Sequence, residues 1–296
     1  MAFHDSEIFS LAVTPSQIIC SSGSASIQVV SNEEGFPISQ TLSQAHKIGC
    51  HHLAASEDGS KMVSVGFDGA VLLWQSENGI WNKVSKDIHK ISDIWAVALS
   101  ANAQYITGTT HDGHIKVWDT QNGLERVCDF ETRGSFGLCL DVSPNGRLIA
   151  SGHQSGNVYV FELETGRMPY TLSGLVAPIR AVAFSPKGKF LAVAGDFRVI
   201  ALYETASGEQ VANLTGHSAW ITTLAWNSTD EYLLSGSFDG KVKVWSIERK
   251  VCVATLSDSE KPIWSVKWLP RVGNSDRFAI AGANRSVSLY REPNSK

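Results

Sequence analysis

The sequence predicts an all-β fold, a seven-bladed β-propeller with four-stranded antiparallel blades, because a strand pattern repeats along its 296 residues with a fixed period. Seven short runs of alternating or continuous apolar residues each end in a large residue. These end residues are Val30, Trp74, Trp118, Phe161, Tyr203, Trp245 and Tyr290, spaced 42 to 45 positions apart. A period of about 40–45 residues is typical of a four-stranded propeller blade. Tight-turn residues recur at matching places within the units, which supports the same fold.

The sixth unit shows the predicted order of strands within a blade. The apolar run 221–226 is the first strand and is expected to line the central channel. The second strand covers 232–235, and the turn Phe238-Asp239-Gly240 connects it to the third strand at 241–245. The third strand alternates polar and apolar residues, as a half-buried strand does. The outer fourth strand is predicted at 251–256.

The repeat spans residues 5–291 and predicts one domain over 1–296, since closed all-β folds often reach this length as a single unit. Only Met1, Ala2 and Phe3 precede His4, and six residues follow Tyr290. We therefore expect a last blade of three strands, or one closed by a short N-terminal segment. The predicted blades cover approximately 5–44, 45–88, 89–131, 132–173, 174–215, 216–257 and 258–296.

Composition argues against several classes of function. The formal net charge is −4, and no basic field of the kind that binds phosphates is visible, so we expect no direct nucleic-acid binding. The five cysteines have no C-x-x-C spacing, so neither a zinc site, a disulfide framework nor any cofactor is predicted. No apolar run approaches the roughly 18 residues of a membrane span. We expect a soluble, intracellular protein.

Several residues within the units resemble the WD-repeat family. Gly216-His217 followed by Asp239 and Trp245 is similar to its pattern, and Trp118-Asp119 is a literal WD dipeptide. The resemblance implies a hydrogen-bonded chain of His, Ser or Thr, Asp and Trp within a blade. Two blades hold complete structural sets, which are His46, Ser64, Asp68 and Trp74, and His217, Ser235, Asp239 and Trp245.

The other blades depart from this pattern. Blade three has Gly108 at the Ser position, blade four keeps Ser151 but has Ser155 at the Asp position, and blade five has Leu175 at the His position. A set repeated at fixed spacing is typical of a structural device, whereas catalysis requires one convergent site. The sequence therefore predicts a protein that is not an enzyme.

A narrower resemblance covers nearly the whole chain. The segments 4–10, 132–136, 177–186, 216–220 and 284–292 together resemble the WD-repeat subunit of the superkiller complex. That resemblance implies a scaffold subunit bound to a tetratricopeptide-repeat subunit and an RNA helicase, in a complex that delivers messenger RNA to the exosome for 3′-to-5′ decay. In fungi it also implies a second role beside the protein that makes meiotic double-strand breaks. The implied location is both cytoplasmic and nuclear.

A partner is expected on the top face, which we define as the face formed by the loops entering the first strands and the turns between second and third strands. Large aromatic and arginine side chains are favoured anchors in interfaces. The alternative is that the aromatic residues pack between neighbouring blades. The candidate residues are Phe9, Trp95, Trp220 and Trp264 at first-strand starts, Phe67, Phe197 and Phe238 in the turns, and Arg180 and Arg285.

Two rival functions remain open at the level of sequence. An adaptor propeller of a ubiquitin ligase or a chromatin complex would bind a short linear degron or a histone tail on the same face. A propeller enzyme would need convergent carboxylates or metal ligands at the channel mouth, and the sequence shows no such set.

Overall fold

The predicted propeller is confirmed in a computed structural model, which describes residues 5–33, 35–84, 93–257, 259–272 and 275–291. These residues form seven antiparallel sheets, of which six have four strands and the last has three. Residues 1–4, where a short closing segment was expected, lie outside this set. Over the same ranges, no helix has the length and apolar character needed to cross a membrane.

Each sheet pairs its strands in chain order, from the inner strand to the outer one. The strands of blades one to four are β1 (Ile8–Val13), β2 (Gln17–Ser22), β3 (Ile27–Ser31), β4 (Ile38–Leu42), β5 (Cys50–Ala55), β6 (Lys61–Gly66), β7 (Val71–Glu77), β8 (Ile80–Lys83), β9 (Ile94–Leu99), β10 (Tyr105–Thr110), β11 (His114–Asp119), β12 (Glu125–Glu131), β13 (Gly137–Val142), β14 (Leu148–His153), β15 (Val158–Glu162) and β16 (Tyr170–Leu172). The strands of blades five to seven are β17 (Ile179–Phe184), β18 (Phe190–Gly195), β19 (Val199–Glu204), β20 (Gln210–Thr215), β21 (Ile221–Trp226), β22 (Tyr232–Ser237), β23 (Lys241–Ser246), β24 (Val251–Ser257), β25 (Ile263–Val272), β26 (Ser275–Gly282) and β27 (Val287–Arg291).

The hydrophobic core lies between the blades. In blade six, Leu234 and Val242 pack against Ile263 of blade seven, while Leu224 and Trp226 face the core shared with blade five. Successive side chains of a strand point to opposite faces, so both faces of each inner strand are buried. This is why the first and second strands are apolar over most of their length rather than alternating with charged residues.

The ring closes by packing of blade seven on blade one. Ile8 and Leu11 of blade one share a buried cluster with Ala279 and Val287 of blade seven. The Leu11 N–H also donates a hydrogen bond of 3.0 Å to Ser265 Oγ across this junction. In the part of the chain that the structure describes, the closure therefore uses the same side-chain contacts as the other blade junctions.

The four-residue chain of blade six is assembled around one hydroxyl group. Trp245 Nε1 donates to Ser235 Oγ at 2.8 Å, and His217 Nε2 lies 2.7 Å from the same oxygen. His217 Nδ1 lies 2.9 Å from Asp239 Oδ2. The Ser235 oxygen accepts a hydrogen bond from the Trp245 indole, so the Ser235 hydroxyl can donate its own proton to His217 Nε2. The imidazole proton of His217 is then on Nδ1 and is donated to Asp239. Burial lowers the pKa of His217, which favours this neutral ring.

Blade two holds the same arrangement, and blade four keeps only its serine–histidine contact, made by a different histidine. In blade two, His46 lies 2.9 Å from Ser64 Oγ and 3.1 Å from Asp68 Oδ1, and Trp74 Nε1 donates to Ser64 Oγ at 2.9 Å. In blade four, Ser151 Oγ lies 2.9 Å from Nε2 of His153, a residue of the second strand. His153 is fully buried, so it replaces the missing loop histidine from inside the sheet.

We expect Ser235→Ala to lower the free energy of unfolding by about 2 kcal/mol, because it leaves the Trp245 indole N–H and a histidine nitrogen buried without a partner. Urea denaturation would measure the loss. Ser228→Ala, at an exposed position of the β21–β22 turn, is the control and should change the free energy by less than about 0.5 kcal/mol. Equal losses in the two variants would contradict a stabilising role for the hydrogen-bonded chain.

Candidate partner-binding face

A β-bulge occurs at the same position in the first strand of every blade. One residue there has no partner in the second strand, although its neighbours on both sides are paired. A bulge bends the strand and redirects a side chain. All seven bulge residues line the channel at its top mouth. They are Phe9, His51, Trp95, Leu138, Arg180, Thr222 and Trp264, and we call them the mouth ring.

One backbone hydrogen bond per blade places a second set of side chains beside the mouth ring. In every blade, the residue after the second strand donates its N–H to the carbonyl of the residue before the first strand, at 2.8 to 3.3 Å. This bond extends the strand pair past the bulge. The donors that present a ring, Phe67, His111 and Phe238, therefore lie on the top face next to the mouth ring.

The rings of blades one to four form a continuous chain of contacts. Phe9 meets Phe67 edge-to-face, with centroids 5.7 Å apart, and Phe67 lies 4.8 Å from His51. His51 stacks on Trp95 at 4.7 Å. Trp95 then contacts Phe136 at 5.3 Å.

This series of ring contacts ends at His111, which stacks on Phe136 with centroids 3.8 Å apart. Earlier in the series, burial lowers the pKa of His51 to about 4. The His51 ring is therefore neutral near pH 7 and stacks on Trp95 as an uncharged aromatic.

The rings of blades six and seven form a second chain that ends on an arginine. Trp264 and Phe238 lie 5.9 Å apart, and Phe238 and Trp220 lie 5.4 Å apart. The guanidinium carbon of Arg180 lies 4.6 Å from the Trp220 ring centroid, in cation–π geometry. At the junction of blades seven and one, Trp264 Nε1 donates to Glu7 Oε2 at 3.0 Å, two residues before Phe9 of the first series. We call the combined set the aromatic arc.

Three rings of the arc are well exposed, and an ion pair fixes its arginine. Phe67, Trp220 and Phe238 are 45%, 44% and 43% exposed. Asp196 holds the Arg180 guanidinium through two hydrogen bonds, one from Nε and one from Nη2 of 3.0 Å. A cluster of large exposed apolar side chains on one face is characteristic of a protein interface.

The structure brings seven of the nine candidate residues together. Phe9, Phe67, Trp95, Arg180, Trp220, Phe238 and Trp264 all belong to the aromatic arc. Phe197 instead packs, half-buried, against the core shared by blades four and five. Arg285 is exposed in the β26–β27 turn with a positive φ of 61°.

Sequence reasoning missed three rings of the arc and one carboxylate. His51 occupies the bulge position that Phe9, Trp95 and Trp264 occupy in other blades, so aligning the units on their second strands would have found it. His111 follows the second strand, as Phe67 and Phe238 do. Phe136 precedes its first strand as Trp220 does, and Asp196 follows its second strand as Phe238 does, so the same alignment marks both positions.

Beneath the mouth ring, polar side chains connect neighbouring inner strands. In four junctions, the side chain one place after the bulge accepts a hydrogen bond from a backbone N–H of the next blade. We call these bonds the channel belt. They run from Leu53 N–H to Ser10, from Val97 N–H to His52, from Val266 N–H to Thr223 and from Leu11 N–H to Ser265, at 3.0 to 3.4 Å.

The belt contains one group that titrates. Val97 N–H donates to His52 Nδ1 at 3.2 Å, so this bond requires an unprotonated Nδ1. Burial, together with the charge interactions with His51 and Lys267, lowers the pKa of His52 to about 3.

Comparison with known proteins places the chain in a family. A model described as the first β-propeller of IFT122 matches residues 7–291. The chain belongs to this WD-repeat β-propeller family. The WD-repeat resemblance drawn from the motifs is thereby confirmed, and propellers of this kind are typically non-catalytic scaffolds.

Two similar WD-repeat relatives are fungal proteins. The meiotic recombination protein rec14 of Schizosaccharomyces pombe is 38% identical over 289 residues, which are 97% of this chain and 94% of rec14. The antiviral protein SKI8 of Saccharomyces cerevisiae is 28% identical over 318 residues, which are 86% of this chain and 80% of SKI8. The likeness in both cases extends over most of the propeller.

We expect His52→Asn to reduce the pH dependence of stability. The lowered pKa of His52 means that the folded state favours the neutral ring, so this stability is present above the unfolded pKa near 6.5 and is lost as the pH falls toward about 3. Between pH 6 and pH 5, the free energy of unfolding of the unaltered chain should fall about 1 kcal/mol more than that of the variant. Asn retains an acceptor for the Val97 N–H.

The matched control is Ser265→Ala, which removes the equivalent acceptor of another junction without removing a titratable group. It should lower stability at every pH and leave the slope unchanged. If His52→Asn also leaves the slope unchanged, His52 titrates alike in the folded and unfolded chains.

Proposed function

We propose that this propeller is a non-catalytic scaffold subunit of the superkiller complex, which supports exosome-dependent 3′-to-5′ decay of messenger RNA, with a second role in the formation of meiotic double-strand breaks. The observation that carries the scaffold role is the aromatic arc. Its exposed rings lie around the channel mouth, and large exposed aromatic side chains suit a protein partner.

The choice of complex is supported by the relatives. One of the two is a meiotic recombination protein and the other is an antiviral protein of the SKI series, and the same propeller likeness extends to both. The proposed partners are accordingly the tetratricopeptide-repeat subunit and the RNA helicase of the superkiller complex, and the meiotic double-strand break protein. These roles require the chain to be present in both the cytoplasm and the nucleus.

The complex can be tested by affinity purification of the tagged chain from vegetative cells, followed by mass spectrometry. Recovery of a tetratricopeptide-repeat protein together with an RNA helicase is the expected result. Recovery of ubiquitin-ligase or chromatin subunits without that pair would favour the adaptor alternative and contradict the superkiller assignment.

We expect Trp220→Ala and Phe238→Ala each to weaken binding of the tetratricopeptide-repeat subunit at least tenfold, because exposed aromatic anchors contribute much of the binding free energy in such interfaces. Trp264→Ala and Phe9→Ala should act in the same direction. Calorimetry with the purified partner would measure the loss, and thermal unfolding would verify that each variant remains folded.

Ile80→Ala is the control for these variants. Ile80 is also a large apolar residue, 58% exposed, but it lies on the outer strand β8 of blade two, away from the mouth. It should bind the partner like the unaltered chain. A partner affinity that depends on Ile80 and not on Trp220 would move the interface from the top face to the propeller side.

A further inference from the structure

The turn between the second and third strands has the same backbone conformation in blades two to seven. In each, one residue donates its N–H to the carbonyl three residues before it and has a positive φ between 59° and 89°. Glycine adopts this conformation readily, whereas a side chain is disfavoured there. Blade five has Arg198 at this position and blade seven has Arg285. The other four blades have glycine, namely Gly69, Gly113, Gly156 and Gly240.

Contacts within the chain do not account for these two arginines. Both are exposed, and neither guanidinium makes a hydrogen bond or an ion pair with the residues that the structure describes. Arg180, by contrast, is held by Asp196. A side chain that occupies a disfavoured backbone position without an internal contact points to a role in binding.

Arg198 lies beside one end of the ring contacts of blades six and seven. It follows Asp196 by two residues in the same turn, and Asp196 holds Arg180 in its cation–π contact with Trp220. The free cation of blade five is therefore next to the neutralised one that touches the exposed Trp220 ring.

Arg285 lies beside the other end of these contacts. Its turn begins at Ala283, whose N–H donates at 3.0 Å to the carbonyl of Pro262, two residues before Trp264. Trp264 in turn contacts Phe238 of blade six. The exposed rings of blade six are thus flanked by an unpaired arginine on each neighbouring blade.

The top face of blades five to seven is cationic, although the chain as a whole has a net charge of −4. Among the described residues of its loops and turns, four cations and one carboxylate are exposed without an ion pair. A local field opposite in sign to the net charge favours an acidic partner. These residues are Arg198, Lys241, Lys261 and Arg285, and the carboxylate of Glu260.

We propose that the partner segment bound at the aromatic arc is acidic, with carboxylate side chains on Arg198 and Arg285 flanking an aromatic or large apolar residue that packs on Trp220 and Phe238. A planar guanidinium donates two parallel hydrogen bonds to a carboxylate, which suits this pairing. The inference rests on the proposed scaffold role of the top face and adds the chemistry of the segment that it binds.

The fold itself provides the test variants. Arg198→Gly and Arg285→Gly introduce the residue that four other blades already have, so neither should lower the midpoint of thermal unfolding. Lys250→Gly is the matched control. Lys250 is also an exposed cation with a positive φ, of 56°, but it lies in the turn between the third and fourth strands, on the opposite face of the propeller.

The experiment probes an array of synthetic peptides with the purified full chain. Each peptide has a central tryptophan or phenylalanine, and its flanking positions are all glutamate, all glutamine or all lysine. We expect the glutamate peptides to bind best. Calorimetry with the strongest of them should show affinity at least tenfold weaker for the Arg198→Gly, Arg285→Gly double variant, unchanged for Lys250→Gly and lost in Trp220→Ala.

Selection of lysine or glutamine flanks would overturn the proposal, and so would absence of binding to every peptide. Glutamate peptides that bind the double variant as tightly as the unaltered chain would contradict it as well. The proposed complex fails separately, when affinity purification does not recover the superkiller subunits, because the peptide measurements contain no partner protein.

Discussion

The inner edge of each blade imposes the constraint on which the rest of this propeller depends. A first strand is paired on one side only, and its other edge faces the channel with backbone N–H groups that need acceptors. The channel belt supplies several of them from the preceding blade. Because Ser265 of blade seven accepts a hydrogen bond from the Leu11 N–H of blade one, the channel belt continues across the junction that closes the ring. The belt therefore connects neighbouring blades in the same layer where their apolar faces pack.

The bulge above the belt links this framework to function. A regular strand would direct successive side chains into the two blade interfaces, and none would be presented to the mouth. The bulge takes one residue per blade, the mouth-ring residue, out of that alternation. The backbone hydrogen bond after the second strand then places a second residue beside it. The framework thus presents seven positions whose identity the fold leaves free, and this chain fills most of them with aromatic rings. The proposed partner binding accordingly depends on those side chains and not on the propeller fold as such.

The sequence predicted the fold and seven residues of the aromatic arc, but it missed His51, His111, Phe136, Asp196 and His153. The blade period and the order of strands follow from spacing, and the His46 and His217 sets follow from the resemblance to the WD-repeat family. His153 was missed because it reaches Ser151 from within the second strand, where a histidine resembles an ordinary core residue. Phe136 of blade four stacks on His111 of blade three, whereas Asp196 joins the turn after the second strand of blade five to Arg180 in its first strand. Such contacts depend on the three-dimensional approach of the loops, which the period of the sequence does not describe.

Because the fold repeats seven times, each residue can be compared with the residues at the equivalent position of the six other blades. The position three residues after the bulge is an alanine in five first strands, and the fold accounts for that choice. These alanines are Ala12, Ala54, Ala98, Ala183 and Ala225. Lys267 and Asp141 depart from that layer at the cost of placing charge in a narrow lumen, where burial raises the pKa of Asp141 to about 6 and lowers that of Lys267. Five other blades show that the architecture needs no charge there. Each of the two opposite charges favours the ionised form of the other, which offsets part of the cost of burying them.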